Sequence, residues 1–91
     1  MRDRIPEEEI EKWLSRLKKE MKNTKATNKK GKEFLNNINA YIHDCEYFQK
    51  KEDLVVAWEL ISFAWGLFEA GLFTEIIESV KGSKKYMFSS R

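Results

Sequence analysis

Apolar residues in the middle of the chain recur at the three- and four-residue spacing of a helix, and they cover an unusually wide arc. At roughly 100° per residue, one face of residues 53–71 is continuously apolar. That face comprises Leu54, Ala57, Trp58, Ile61, Ala64, Trp65 and Phe68, and the arc is extended sideways by Leu60, Phe63 and Leu67. Such a helix must be covered by other elements on at least two sides.

The ends of this helix carry the usual boundary residues. Asp53 can accept a hydrogen bond from a free amide of the first turn, and Gly71 can adopt the left-handed conformation that ends a helix. The pattern therefore predicts a helix over about residues 54–70.

Two further helices precede it. The apolar spacing predicts a helix over about residues 6–21, with Pro6 in its first turn, and another over about residues 29–50. Residues 23–31 between them interrupt the apolar spacing and indicate a connection. The short link at Lys51 and Glu52 makes the second and third helices antiparallel neighbours.

The segment after Gly71 allows two interpretations. Phe73, Ile76, Ile77 and Val80 have helical spacing, which favours a further turn or two of helix, whereas the residues after Gly82 have an extended pattern. We therefore expect an all-α fold with one domain over residues 1–91. It is a three-helix bundle with a helical hairpin at its centre and a C-terminal segment over residues 72–91.

Composition narrows the class of protein. The chain has 91 residues, 42% of them hydrophobic, which suits one small globular domain. A single cysteine and the absence of an apolar leader predict a cytoplasmic protein. Glu59 and Glu69 interrupt the longest apolar stretch, so we expect no membrane span.

Catalytic chemistry has one candidate, the consecutive residues His43, Asp44 and Cys45. Successive helical side chains diverge by roughly 100°, so we expect Cys45 in the core and His43 in solvent. A second His or Cys is absent from the sequence. We therefore expect no catalytic residue, no metal and no cofactor, and predict that the protein is not an enzyme.

A basic segment spans residues 16–32, which hold eight basic residues against one acid, Glu20. Nucleic acid is the partner that such a segment favours. Against this, the whole chain carries a net charge of only +2 and the segment has no interleaved aromatic residues. The basic residues are Arg16, Lys18, Lys19, Lys22, Lys25, Lys29, Lys30 and Lys32. A solvated helix end is the simpler interpretation, and nucleic-acid binding the alternative.

Two features of the third helix indicate an interaction surface. Leu60, Phe63 and Leu67 need a cover, which is residues 73–80, a second copy of the chain, or another protein. Ser62, Gly66 and Ala70 form a row of small residues, which either lets another helix approach or merely lets Gly66 avoid a clash with a neighbouring helix. We therefore predict a non-enzymatic protein-interaction or self-association module, with a homodimer as one form.

The hairpin also resembles a known family. Tyr41, Asp44, Tyr47-Phe48, Asp53, Ala57, Phe63-Ala64, Gly66 and Glu69-Ala70-Gly71 are similar to the core pattern of a small archaeal family, domain of unknown function 357. Tyr86-Met87-Phe88 resembles the family's C-terminal segment. Cys45 stands where the family has Ala, and Glu52 where it has the turn Gly, which leaves the conformation of that turn open.

The resemblance implies a compact three-helix bundle of archaeal type and no assigned activity. If the recurring residues of the family mark a site, the matching residues here are Tyr41, Asp44, Asp53 and Glu69. Asp53 is the cap and Tyr41 is expected in the core, so Asp44 and Glu69 are the two without an obvious structural duty. Small-ligand binding at Asp44 and Glu69 is therefore the third hypothesis for function.

Overall fold

Residues 6–80 fold into three helices and one two-stranded sheet. The computed structural model describes residues 6–80, with helices α1 (Glu7–Lys22), α2 (Lys29–Lys50) and α3 (Leu54–Phe73). Strand β1 (Thr24–Ala26) follows α1, and strand β2 (Ile77–Ser79) follows α3. The strands pair antiparallel, with Lys25 opposite Glu78. The predicted all-α, three-helix class is confirmed, with a small sheet added at one end.

Helices α2 and α3 form the predicted hairpin. The Asp53 side chain caps α3 by accepting a hydrogen bond from the Val56 amide at 3.3 Å, as its sequence position indicated. The preceding residue, Glu52, has a φ of 62°, which is the left-handed conformation. The Glu52 and Asp53 amides donate to the carbonyls of Gln49 and Phe48, so the turn ends α2 in the way that a glycine usually does.

Helix α1 packs across one side of the hairpin and completes the core. The Trp65 indole is fully buried, and its Nε1–H donates to the Trp13 carbonyl oxygen at 3.0 Å. The two indole rings meet edge to face, with centroids 5.6 Å apart. The buried apolar residues are Ile10, Leu14, Leu17, Ile38, Ile42, Cys45, Ala57, Ile61, Ala64, Trp65, Phe68 and Ile77. One contiguous core therefore involves all three helices and β2.

The prediction that Gly71 ends the third helix is wrong. Helix α3 continues to Phe73, and Gly71 is a buried residue inside it. A Cβ atom on Gly71 would lie 2.8 Å from the Ile77 Cδ1 atom, so the missing side chain makes room for Ile77. The left-handed residue that follows the helix is Glu75, with a φ of 64°.

The prediction of further helix after residue 71 is also wrong beyond Phe73. Ile77 belongs to a strand and is 1% exposed. The residues before it are held by Thr27, whose amide donates to the Ile76 carbonyl at 2.9 Å and whose hydroxyl donates to the Glu75 carbonyl at 2.7 Å. The extended pattern predicted after Gly82 lies outside the described residues.

The connection predicted over residues 23–31 contains β1, the partner that makes a strand of β2 possible. Its last part starts α2. The Asn28 side chain accepts a hydrogen bond from the Gly31 amide at 2.8 Å and caps the helix.

Candidate interaction surface

One side of the hairpin has a partly exposed apolar surface, away from α1. On α2, Glu46 and Gln49 reach α1, whereas Tyr41 and Phe48 lie about 150° round the helix from Glu46. Leu60, Phe63 and Leu67 continue this surface on α3. All but Phe63 are half-buried against the core, and Phe63 is 55% exposed. We call Tyr41, Phe48, Leu60, Phe63 and Leu67 the hairpin face.

The centre of the hairpin face is an aromatic pair. The rings of Tyr41 and Phe63 meet edge to face, with centroids 5.0 Å apart and an interplanar angle of 89°. This contact joins α2 to α3 across the hairpin. It also supports the inner edge of the Phe63 ring while leaving about half of the side chain in solvent.

The part of the C-terminal segment that the structure describes packs elsewhere. Ile77 packs against Gly71, which lies eight residues from Phe63 and therefore about 12 Å along α3. Of the three covers expected for Leu60, Phe63 and Leu67, residues 73–80 leave the Phe63 side chain exposed. A second copy and another protein remain as proposals.

The row of small residues on α3 borders the hairpin face. A Cβ atom on Gly66 would meet nothing within 4 Å, so the alternative that Gly66 avoids a clash with a neighbouring helix is wrong. Ser62 is half-buried and Ala70 is exposed. The row therefore leaves a shallow, accessible strip of helix backbone beside Phe63.

The structure does not bring Asp44 and Glu69 together. Relative to the Tyr41–Phe63 contact, Asp44 lies three residues towards the turn and Glu69 six residues away from it. At 1.5 Å per residue, their positions differ by about 14 Å along the hairpin. Asp44 is exposed and Glu69 is half-buried. A ligand that uses both carboxylates would have to span that distance.

The cluster His43, Asp44 and Cys45 diverges as predicted. Cys45 is fully buried, while His43 and Asp44 are exposed. Burial, with smaller contributions from Glu46 and Glu11, raises the pKa of the Cys45 thiol to about 11. The thiol is thus a core group with almost no thiolate at neutral pH. Residues 6–80 hold no group of three or more His, Cys, Asp or Glu side chains placed to bind a metal.

Three side chains of the basic segment form contacts within the protein. Lys18 forms a 2.6 Å ion pair with Glu46, which raises the pKa of Lys18, and Lys25 forms a 3.4 Å pair with Glu78. The Arg16 guanidinium lies 5.0 Å from the centre of the Trp13 ring. The remaining basic side chains are exposed: Lys19, Lys22, Lys29, Lys30 and Lys32. They are divided between α1 and α2.

Two members of the hairpin face, Tyr41 and Phe48, could not be assigned to it from the sequence, because they belong to the apolar stripe of α2. Their seven-residue spacing places them on one flank of that stripe, but a single sequence does not say which flank a third helix covers.

Helix α3 is long and apolar enough, by length and composition alone, to cross a membrane. The core helices of other proteins share this property.

Comparisons with known proteins identify relatives of the chain but no activity. A family model described as a protein of unknown function, DUF357, matches residues 7–77. A crystal structure of a DUF357 protein from Archaeoglobus fulgidus is 36% identical, with a TM-score of 0.72. The match covers 79% of this chain and 90% of that one. No curated protein matches the sequence.

Proposed function

Because the chain belongs to the DUF357 family, to which no activity is assigned, we propose its function from its surface. The protein is a non-enzymatic interaction module that self-associates through the hairpin face. The observation that carries this proposal is Phe63, a phenylalanine in the middle of a helix that is 55% exposed and held in place by Tyr41.

The energetic argument rests on the chemistry of that face. Full burial of a phenylalanine side chain stabilises by about 1.5–3 kcal/mol, so covering the exposed half of Phe63 is worth about 1 kcal/mol. Leu60, Leu67, Tyr41 and Phe48 surround it and add half-buried apolar surface. A central aromatic residue within an apolar ring is the usual arrangement of an energetic hot spot.

A second copy is the partner that the shape supports best. Twofold dimers are the commonest oligomers, and they bring the same surface of each subunit together. Within the strip at Ser62, Gly66 and Ala70, there is open space at Gly66 and Ala70 is exposed, so a helix can approach α3 closely beside Phe63. Two copies packed through their hairpin faces would bring four helices together as a four-helix bundle, with the two hairpin faces as its apolar core.

The mass of the native chain in solution tests self-association. Light scattering should give the mass of a dimer at micromolar concentration and a fall towards the 10.9 kDa monomer on dilution. A strict monomer throughout the micromolar range would exclude the homodimer. The hairpin face would then require a different protein as its partner.

Two other functions have weaker support. The first is nucleic-acid binding by the basic segment, which predicts an affinity that falls steeply as the salt concentration rises. Lys18 and Lys25 already pair with acids of the chain, which leaves fewer lysines for such a partner.

The second is the binding of a small ligand at Asp44 and Glu69. The separation of these two carboxylates along the hairpin counts against this hypothesis. A metabolite screen by melting temperature tests it, since a ligand should raise the melting temperature of the native chain but not of a variant with Asp44→Asn and Glu69→Gln.

A further inference from the structure

A groove of about 690 Å³ lies between α1 and α2, on the flank of α2 that faces away from the hairpin face. Met21, Leu35 and Ile42 supply its apolar surface. Lys18 and Lys22 line it from α1, and His43 and Glu46 line it from α2. It is an open trough along the two helices.

The groove arises because α1 packs differently on its two neighbours. Trp13 joins α1 to α3 through the hydrogen bond and ring contact with Trp65. Towards α2, α1 is joined by polar side chains, the Lys18–Glu46 pair at 2.6 Å and the hydrogen bond from Gln49 to Glu11 at 3.0 Å. Beyond Lys18 the two helices leave the apolar side chains of Met21 and Leu35 half-exposed.

The charge along the rim is unbalanced. Glu46 is the one acid among the described residues of the lining, and Lys18 already neutralises it. Lys22 lies one turn further along α1 and forms no ion pair with any residue from 6 to 80. His43, on the α2 side of the groove, is exposed and offers a further hydrogen-bonding group. The groove therefore combines apolar side chains with a positive charge that no acid between residues 6 and 80 neutralises.

We propose that this groove binds an acidic amphipathic helix of another protein. Leu35 and Ile42 are seven residues apart on one flank of α2, about 10 Å or two helical turns, which matches the anchor spacing of a helix laid in a groove. Two apolar anchors would lie on Met21, Leu35 and Ile42, and a carboxylate would pair with Lys22. This binding is independent of self-association, because the two surfaces lie on different flanks of α2.

The test uses two synthetic helical peptides that differ only in charge. One has leucines on one face and glutamates on the other, and its twin has every glutamate replaced by lysine. Each is titrated into the ¹⁵N-labelled full chain. The glutamate peptide should shift the amide signals of Met21, Leu35 and Ile42, and the lysine peptide should bind at least about tenfold more weakly.

Lys22→Glu tests the contribution of the groove lysine to peptide binding, and Lys19→Glu is its matched control. Both lysines are exposed in the last turns of α1, so the two changes perturb the helix dipole similarly, but Lys19 is outside the groove lining. Lys22→Glu should weaken the glutamate peptide about tenfold and Lys19→Glu less than about twofold. Equal effects of the two variants, equal binding of the two peptides, or shifts on the hairpin face would overturn the proposal. Shifts in the groove caused by a DNA duplex but by neither peptide would overturn it in favour of nucleic acid.

Discussion

Gly31 lies directly against the backbone of Ile76, so a Cβ atom on Gly31 would overlap the carbonyl oxygen of Ile76. That oxygen also accepts the hydrogen bond from the Thr27 amide at 2.9 Å. The first turn of α2 and the segment that leads into β2 therefore meet backbone to backbone. At this point the chain after α3 is joined to the rest of the domain.

Gly31→Ala should destabilise the protein by about 2 kcal/mol or more, since the backbone of Ile76 has to move and its hydrogen bond is strained. Gly66→Ala is the matched control because both glycines lie within helices. Open space surrounds Gly66, and alanine there should stabilise the monomer by about 0.5–1 kcal/mol. Urea unfolding at a concentration where the protein is monomeric measures both changes. Changes of the same sign and size would contradict the described contact.

Gly71→Ala should cost about 1–3 kcal/mol, because its Cβ atom would lie 2.8 Å from the Ile77 Cδ1 atom in a fully packed region. Ile77→Ala removes that Cδ1 atom and also the Cγ1 atom, which would lie 2.9 Å from the new Cβ atom. The two changes should therefore cost less together than the sum of their separate costs, which a double-mutant cycle measures. Additive costs would mean that Gly71 does not make room for Ile77.

Glu52→Gly should stabilise the protein by about 0.5–1 kcal/mol. Glu52 has a φ of 62°, a conformation that strains residues with a Cβ atom and leaves glycine unstrained. The gain from relieved strain is larger than the loss from the greater freedom of glycine in the unfolded chain. Thermal unfolding should show a higher melting temperature, with Lys51→Gly as a control that lowers it, because Lys51 is in the right-handed region. A lower melting temperature for Glu52→Gly would contradict this description of the turn.

Cys45 should resist alkylation by iodoacetamide at pH 8 in the folded protein. Its thiol is fully buried and its pKa is raised to about 11, so the reactive thiolate is both scarce and inaccessible. Raising the pH towards 11 or adding denaturant should accelerate labelling, as mass spectrometry can follow. Labelling of the native protein at pH 8 at the rate of a free thiol would place Cys45 outside the core.

The helices could be predicted because local signals mark them. Asp53 caps α3, the apolar spacing places α2, and the two-residue link makes the hairpin. The chain after residue 71 could not be predicted, because its structure depends on pairs that are distant in sequence. Ile77 has a helical spacing to Phe73, yet it becomes a strand residue because β1 offers backbone partners and Gly71 offers space.

Only part of the candidate surface could be predicted from the sequence, because the rest of it also depends on how distant segments pack. The width of the apolar arc on α3 indicated that Leu60, Phe63 and Leu67 need a cover, and this needs no tertiary information. Whether Tyr41 and Phe48 belong to this surface depends on which side of the hairpin α1 occupies. The presence of the groove beside Lys22 likewise depends on the position of α1 relative to α2 and α3.

The most direct test of the hairpin face compares two variants of α3 by sedimentation velocity. Phe63→Gln removes the exposed aromatic residue at the centre of the face. Phe73→Gln makes the same chemical change at the end of the helix, on a residue that is 87% exposed and about 80° away round the helix. At a concentration where the native chain is a dimer, Phe63→Gln should sediment as a monomer, with unchanged helix content by circular dichroism, while Phe73→Gln should remain dimeric. Dimers of equal strength for both variants would contradict the proposed interface.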